Sequence, residues 1–204
     1  MAGGTVTVVG IAGGSGAGKS WLAGRLCAAL GERAALVAQD HYYHDLRHLT
    51  PQELAAHNFD CPEALDVATL AANLAALRAG RAVREPRYDF ATHRRAANAA
   101  PLAPRPVIVA EGLFLLALPA LRRHLDIKVF VDAPAGRRRE RRLARDLAER
   151  GVGGAEAERQ YADTVAPMHR RWIAPSRAWA DYRVRAGDAD GGVAEILRRI
   201  EGDG

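Results

Sequence analysis

Residues 13–20 read Gly-Gly-Ser-Gly-Ala-Gly-Lys-Ser, and this octet limits the possible folds more than anything else in the chain. Gly13, Gly18, Lys19 and Ser20 meet the G-x-x-x-x-G-K-[ST] spacing of a phosphate-binding loop, which requires a strand before it and a helix after it. Both neighbours are present. Val6-Thr7-Val8-Val9-Gly10-Ile11 reads as a buried parallel strand, and Trp21-Leu22-Ala23-Gly24-Arg25-Leu26-Cys27 reads as a helix. In such a loop the backbone N–H groups converge on phosphate oxygens, and the helix start adds its positive dipole end. Lys19 supplies a point charge for the β- and γ-phosphates, and Ser20 a hydroxyl for Mg²⁺. The predicted ATP-binding set is Gly13, Gly14, Ser15, Gly16, Ala17, Gly18, Lys19 and Ser20. A chance match is improbable, because the chain has 20 glycines but only two lysines, Lys19 and Lys128. No G-x-G-x-x-G runs through the segment, which argues against a dinucleotide-binding turn.

The rest of the chain alternates strand and helix, so an α/β fold with a parallel sheet flanked by helices is expected. Strands are predicted at Val6–Ile11, Ala34–Ala38, Val107–Ala110, Ile127–Val131 and Tyr182–Val184. Helices are predicted at Lys19–Leu30, Asp66–Arg78, Pro134–Arg150, Ala155–Arg171 and Val193–Ile200. Asp66 is a plausible N-cap, and Thr50-Pro51-Gln52-Glu53 has capping-box spacing with proline at N1. Residues 80–106 read as a hairpin or loop insertion, and 187–192 as a Gly/Asp linker to the last helix. The 204 residues, 49% hydrophobic, suit one domain spanning 1–204 with a sizeable core.

The net charge of +5 could attract nucleic acid or polyphosphate. Nearly all the positive charge is arginine in a chain rich in Ala and Gly, so biased residue usage explains much of it. Cys27 and Cys61 form no C-x-x-C pair and suggest no disulfide framework. No charged leader and no bilayer-length apolar run are visible, so a cytoplasmic protein that engages no membrane is expected.

Ligands of open parallel sheets gather at the carboxyl ends of the strands. The second predicted strand is followed by Asp40, the third by Glu111 and the fourth by Asp132. Val107-Ile108-Val109-Ala110-Glu111 has the form of an apolar strand delivering a carboxylate beside the phosphate loop, so Glu111 is a candidate Mg²⁺ ligand. Phosphoryl transfer to a hydroxyl needs a carboxylate to orient it and accept its proton, and Asp40 is the candidate base. The plainer alternative is a helix-capping carboxylate for Glu111 and an Asx turn at a strand end for Asp40.

The segment 134–154 is predicted as an arginine-rich lid. Arg138, Arg142 and Arg145 share one helical face, with Leu143 and Leu147 as an apolar anchor on the next stripe. Such a face could neutralise charge on transferring phosphate. A solvated basic face and a nucleic-acid stripe are the alternatives, the latter weakened by the lack of interleaved aromatics. His41, His44 and His48 have ligand-like spacing, but no cysteine or acid completes a zinc set. Tyr88 and His93, an aromatic and a donor in an irregular insertion, suit a flat heterocycle, although on spacing alone a satisfied structural histidine is the better reading.

Taken together the chain resembles the uridine/cytidine kinases of the phosphoribulokinase and pantothenate kinase superfamily. The matching pieces are Gly13–Ser20, Gln39-Asp40-His41-Tyr42-Tyr43, Asn58-Phe59-Asp60, Pro86–His93 and Glu111-Gly112. They continue through Val131-Asp132, Arg141–Asp146, Glu149-Arg150-Gly151, Gln160-Tyr161, Pro167-Met168-His169 and Pro175-Ser176-Arg177, in family order, over about residues 5–186. The resemblance implies a γ-phosphoryl transfer from ATP or GTP to the 5′-hydroxyl of uridine or cytidine. It implies Asp40 as catalytic base and Ser20, Glu111 and Asp40 about the Mg²⁺. Tyr88 and His93 would read the pyrimidine edge. Tyr43, Phe59, Asp60, Arg142 and Gln160 would bind the nucleoside, and Arg145, with Lys19, would face the phosphates. A homo-oligomer with small-molecule partners and no nucleic acid is also implied. The chain departs from the family pattern at Val152, where an arginine is usual, and at Cys61, where a histidine is usual, so the acceptor side is where its chemistry can differ.

Overall fold

Short, apolar strands buried on both faces set the layering. The computed structural model describes residues 5–90, 92–150 and 152–202. Five parallel strands form the central sheet: β1 (Thr7–Gly13), β2 (Ala34–Ala38), β7 (Val107–Gly112), β8 (Ile127–Asp132) and β9 (Tyr182–Arg185), in the order β2-β7-β1-β8-β9. Val9, Ile11, Val107, Val109 and Val129 point to one face, where they meet Leu22 and Leu26 of α1 (Lys19–Leu30) and Ile196 of the last helix, Ala189–Glu201. Val8, Ile108, Ala110 and Phe130 point to the other, against Leu70, Leu74 and Leu77 of α3 (Val67–Arg78). Both faces are covered, which is why the strands read as continuous apolar runs instead of alternating ones.

The insertion forms two small antiparallel sheets. One pairs β3 (Val83–Glu85) with β6 (Ala100–Leu102), and the other pairs β4 (Tyr88–Asp89) with β5 (Arg94–Arg95). The short helix α2 (Pro51–Ala56) begins at a complete capping box between Thr50 and Glu53, as predicted. Asp66 caps α3 by accepting from the Thr69 N–H at 3.0 Å. The predicted linker at 187–192 is corrected: Asp188 accepts from Gly191 N–H as an N-cap, and the last helix already starts at Ala189. A short α4 (Pro119–Arg122) joins β7 to β8.

Beyond α5 (Ala135–Arg150) the chain stays helical from Gly154 to Trp179 despite Pro167 and Pro175. It does so through two widened π turns, Tyr161–Val165 and His169–Ile173. Ala166 and Ala174, each just before a proline, donate to Tyr161 and His169 five residues back. A proline removes one i→i−4 donor and crowds that carbonyl, so a wide turn relieves both problems without ending the helix.

Candidate active site

The loop after β1 turns on left-handed glycines, Gly16 at φ 75° and Gly18 at φ 102°. A Cβ on Gly16 would lie 2.4 Å from the Arg138 carbonyl oxygen, so α5 packs directly on the loop and leaves no room for a side chain there. Lys19 folds across the loop and donates to the Gly14 carbonyl at 3.2 Å. Burial lowers the pKa of its ammonium, opposed by Glu111 and Asp40 nearby. Ser20 Oγ donates to Glu111 Oε1 at 3.1 Å. Burial raises the pKa of Glu111, and Lys19 counters it.

A cleft of about 290 Å³ opens beside this cluster. Lys19, Ser20 and Glu111 line its inner end with Asp40, which sits in the single turn Gln39–Tyr42 after β2. That turn is tied to the end of β7 by the Phe114 N–H, which donates to the buried Gln39 Oε1 at 2.9 Å.

The wall of the cleft is ionic. Arg142, 4% exposed, donates to Asp60 Oδ1 at 3.2 Å, to Ser15 Oγ at 3.1 Å and to Asp146. Burial alone would loosen the proton of the guanidinium, but Asp60 and Asp146 outweigh it and raise its pKa. Arg145 donates to the same Ser15 hydroxyl at 3.3 Å. The inward face of α5 is therefore Arg138, Arg142 and Asp146. The predicted apolar anchor is corrected, since Leu147 is 60% exposed. What holds α5 is its arginines bonding to the loop and to Asp60, not a leucine stripe.

The outer part of the cleft is aromatic. Phe59 stacks on His93 with centroids 4.7 Å apart and planes 23° from parallel. Tyr43, Phe90 and Gln160 also line the cleft. Tyr88 does not; it is buried one layer behind, against Tyr43 and Phe90 at 5.4 and 5.1 Å. Val152 lines the rim. Asp132 is drawn away from the cleft, paired with Arg177 at 3.3 Å, and His41 pairs with Glu85 of the insertion at 3.2 Å.

A second cleft, about 360 Å³, lies on the other side of the loop. Trp21, Arg141 and the turn Arg185–Gly187 line it with Ala17 and Gly18.

The model of the phosphoribulokinase/uridine kinase family matches residues 8–190. The chain belongs to this family. It is 45% identical over 196 residues to the uridine kinase of Chloroflexus aggregans, covering 95% of this chain and 94% of that one. It is 40% identical over 192 residues to the uridine kinase of Staphylococcus haemolyticus, covering 94% and 93%. In structure it resembles the phosphoribulokinase of Rhodobacter spheroides, with TM-score 0.69, 14% identity, and coverage of 89% and 70%; that likeness concerns the fold alone. The chain is thus a P-loop kinase, and the two clefts flank the loop that such an enzyme uses.

Three features of this kinase's site were missed in the sequence. Asp146 was legible in principle, as an acid four residues after Arg142 on the same helix face. Ser15 was assigned to phosphate only, although it also anchors two arginines of α5. The second cleft had no local signal, because it is assembled from α1, β8, α5 and the β9 turn.

Proposed function

We propose that this kinase transfers the γ-phosphoryl group of ATP or GTP to the 5′-hydroxyl of uridine or cytidine, giving the 5′-monophosphate, as a cytoplasmic homo-oligomer in pyrimidine salvage. The observation that carries the reading is the 290 Å³ cleft, which has a carboxylate and a lysine at its inner end, a buried Asp60–Arg142 pair on its wall and a Phe59–His93 stack further out. Carboxylate and guanidinium suit the vicinal hydroxyls of a ribose, and the ring stack suits a flat base. The names of the two curated relatives support the same acceptor.

In this reading Asp40 orients the 5′-hydroxyl and accepts its proton as the oxygen attacks phosphorus. Lys19 and Arg145 face the charge that spreads over the transferring oxygens, and Lys19 leaves the Gly14 carbonyl to do so. Ser20 and Glu111 fit a Mg²⁺ site: their oxygens are 3.1 Å apart, and neighbouring ligands on an octahedral ion of this size lie roughly 3.0 Å apart. Mg²⁺ bound there with the nucleotide would offset negative charge on the β- and γ-oxygens.

A panel of nucleosides and sugars with radiolabelled ATP tests the proposal. Uridine or cytidine should lead the panel, and activity confined to a non-nucleoside would overturn it. Val152 keeps that second reading alive: an apolar rim residue donates nothing to a pyrimidine edge, which fits a different small hydroxyl acceptor. Asp40→Asn should lose about a hundredfold or more in kcat, while isothermal titration with uridine should still show binding.

A further inference from the structure

Trp21 follows the phosphate loop directly and opens helix α1. It is 55% exposed, although it is among the largest apolar side chains in the molecule. Its indole lines the second cleft, opposite neither Asp40 nor Glu111 but beside Ala17, Gly18 and Arg141. The two clefts differ in charge. The first mixes Asp40, Asp60, Glu111 and Glu156 with Lys19, Arg142 and Arg145. The second has no carboxylate in its lining, and its charged residues are Arg141 and Arg185. With its phosphates on the loop, a donor nucleotide must extend its nucleoside into one cleft while the acceptor hydroxyl approaches from the other. With the acceptor in the first cleft and the phosphates on the loop between the two, the second cleft is the one left for the nucleoside end of the donor.

Within that cleft the indole is held in place. The Arg25 guanidinium lies over its ring, 5.9 Å from the centroid. Asp190, in the first turn of the last helix, forms an ion pair with Arg25. One ring face is thus backed by a tethered cation, a contact that also fixes the orientation of an otherwise mobile side chain. Arg141, in the same lining, donates to the Gly16 carbonyl at 3.5 Å. A flat heterocycle entering this cleft finds an aromatic ring and a guanidinium in its lining.

We infer that Trp21 is the platform on which the base of the phosphoryl donor stacks. The inference rests on the kinase reading above and adds a donor-binding residue to it. A solvent-exposed tryptophan with no ligand role is the competing account. It predicts no dependence of donor binding on the ring.

Two measurements on the full chain separate these. Removing an aromatic platform under a stacked base weakens its binding, so Trp21→Ala should raise the KM for ATP about tenfold. Acceptor KM and kcat should move less than about twofold, and Trp21→Phe, which keeps a flat ring, should recover most of the loss. Separately, ADP should quench tryptophan fluorescence of the unmodified protein. The quench should vanish in Trp21→Phe, where Trp172 and Trp179 remain. An unchanged ATP KM in Trp21→Ala, or a quench that survives in Trp21→Phe, overturns the inference. The ADP titration needs no acceptor and no turnover. If no nucleoside in the panel is phosphorylated, the acceptor reading falls while Trp21 is still tested on its own.

Discussion

Arg142 is the most committed single residue in the molecule. Its side chain is 5% exposed, and it bonds Asp60, Asp146 and Ser15 at once. Removing one partner of a buried ionic set leaves the others unpaired, at a cost of about 3–5 kcal/mol. Arg142→Ala should therefore lower the urea midpoint by that equivalent and abolish acceptor binding together, whereas Arg145→Ala, half-exposed, should lose activity with little loss of stability. His169 gives a second residue-scale expectation. Burial first, then Arg138, lowers its pKa from 6.5 to about 4, with Lys19 and Arg170 adding to the shift and Asp132 opposing it. Between those values the unfolded chain binds a proton that the folded protein does not. Stability present above pH 6.5 is thus lost as pH falls toward 4. The expected loss is about 1–2 kcal/mol, reduced from the full linkage value because part of the ring meets solvent. Urea denaturation at pH 7 and pH 4.5 should show this loss, and His169→Gln should remove it; an equal pH dependence in the variant would rule the assignment out.

At the scale of elements, α2 ties a local signal to the site. Thr50 accepts from the Glu53 N–H, and the Glu53 carboxylate accepts from the Thr50 N–H at 2.7 Å. The helix is six residues long and carries Leu54 to the first cleft, the one proposed for the acceptor. Thr50→Ala should cost about 1 kcal/mol, read as faster amide exchange over 51–57 and a raised acceptor KM, with the global midpoint barely moved. Glycines at helix ends and short apolar runs are local chemistry, which is why α1, bounded by Gly18 and Gly31, and β2 begin and end where the sequence places them. The misreadings have the opposite origin. Leu143 and Leu147 look like an anchor because periodicity sees only apolar spacing. The inward face of α5 is set instead by Ser15 and Asp60, 127 and 82 residues away from Arg142. The predicted helix Ala155–Arg171 does run through Pro167, but its continuation past Pro175 to Trp179 and the π turns that relieve both prolines have no local signal. Asp40, Glu111 and the loop were legible because strand ends of a parallel sheet converge by topology. Tyr88 was legible as an aromatic of the insertion, but its burial behind Tyr43 depends on how that insertion folds.

At the scale of the whole molecule, the phosphate loop leaves the central strand β1 and separates two clefts, and α5 crosses both. Arg141 faces the second cleft, while Arg142 and Arg145, one and four residues on, line the first. A ligand in either cleft therefore settles the same helix. The second ligand meets an α5 already ordered and loses less conformational entropy on binding. Coupling of this kind is reciprocal and typically amounts to 1–3 kcal/mol, or about 5- to 150-fold in affinity. The dissociation constant of uridine, measured by calorimetry, should fall at least about fivefold when a non-hydrolysable ATP analogue is present, and that of the analogue should fall by the same factor with uridine. Cutting the link should remove the coupling before it removes either site. Ser15→Ala deletes the hydroxyl that Arg142 and Arg145 both use to hold α5 to the loop. In that variant each ligand should still bind alone, with the two affinities now independent. Independent binding in the unmodified protein would mean that α5 is already fixed by Asp60 and Asp146.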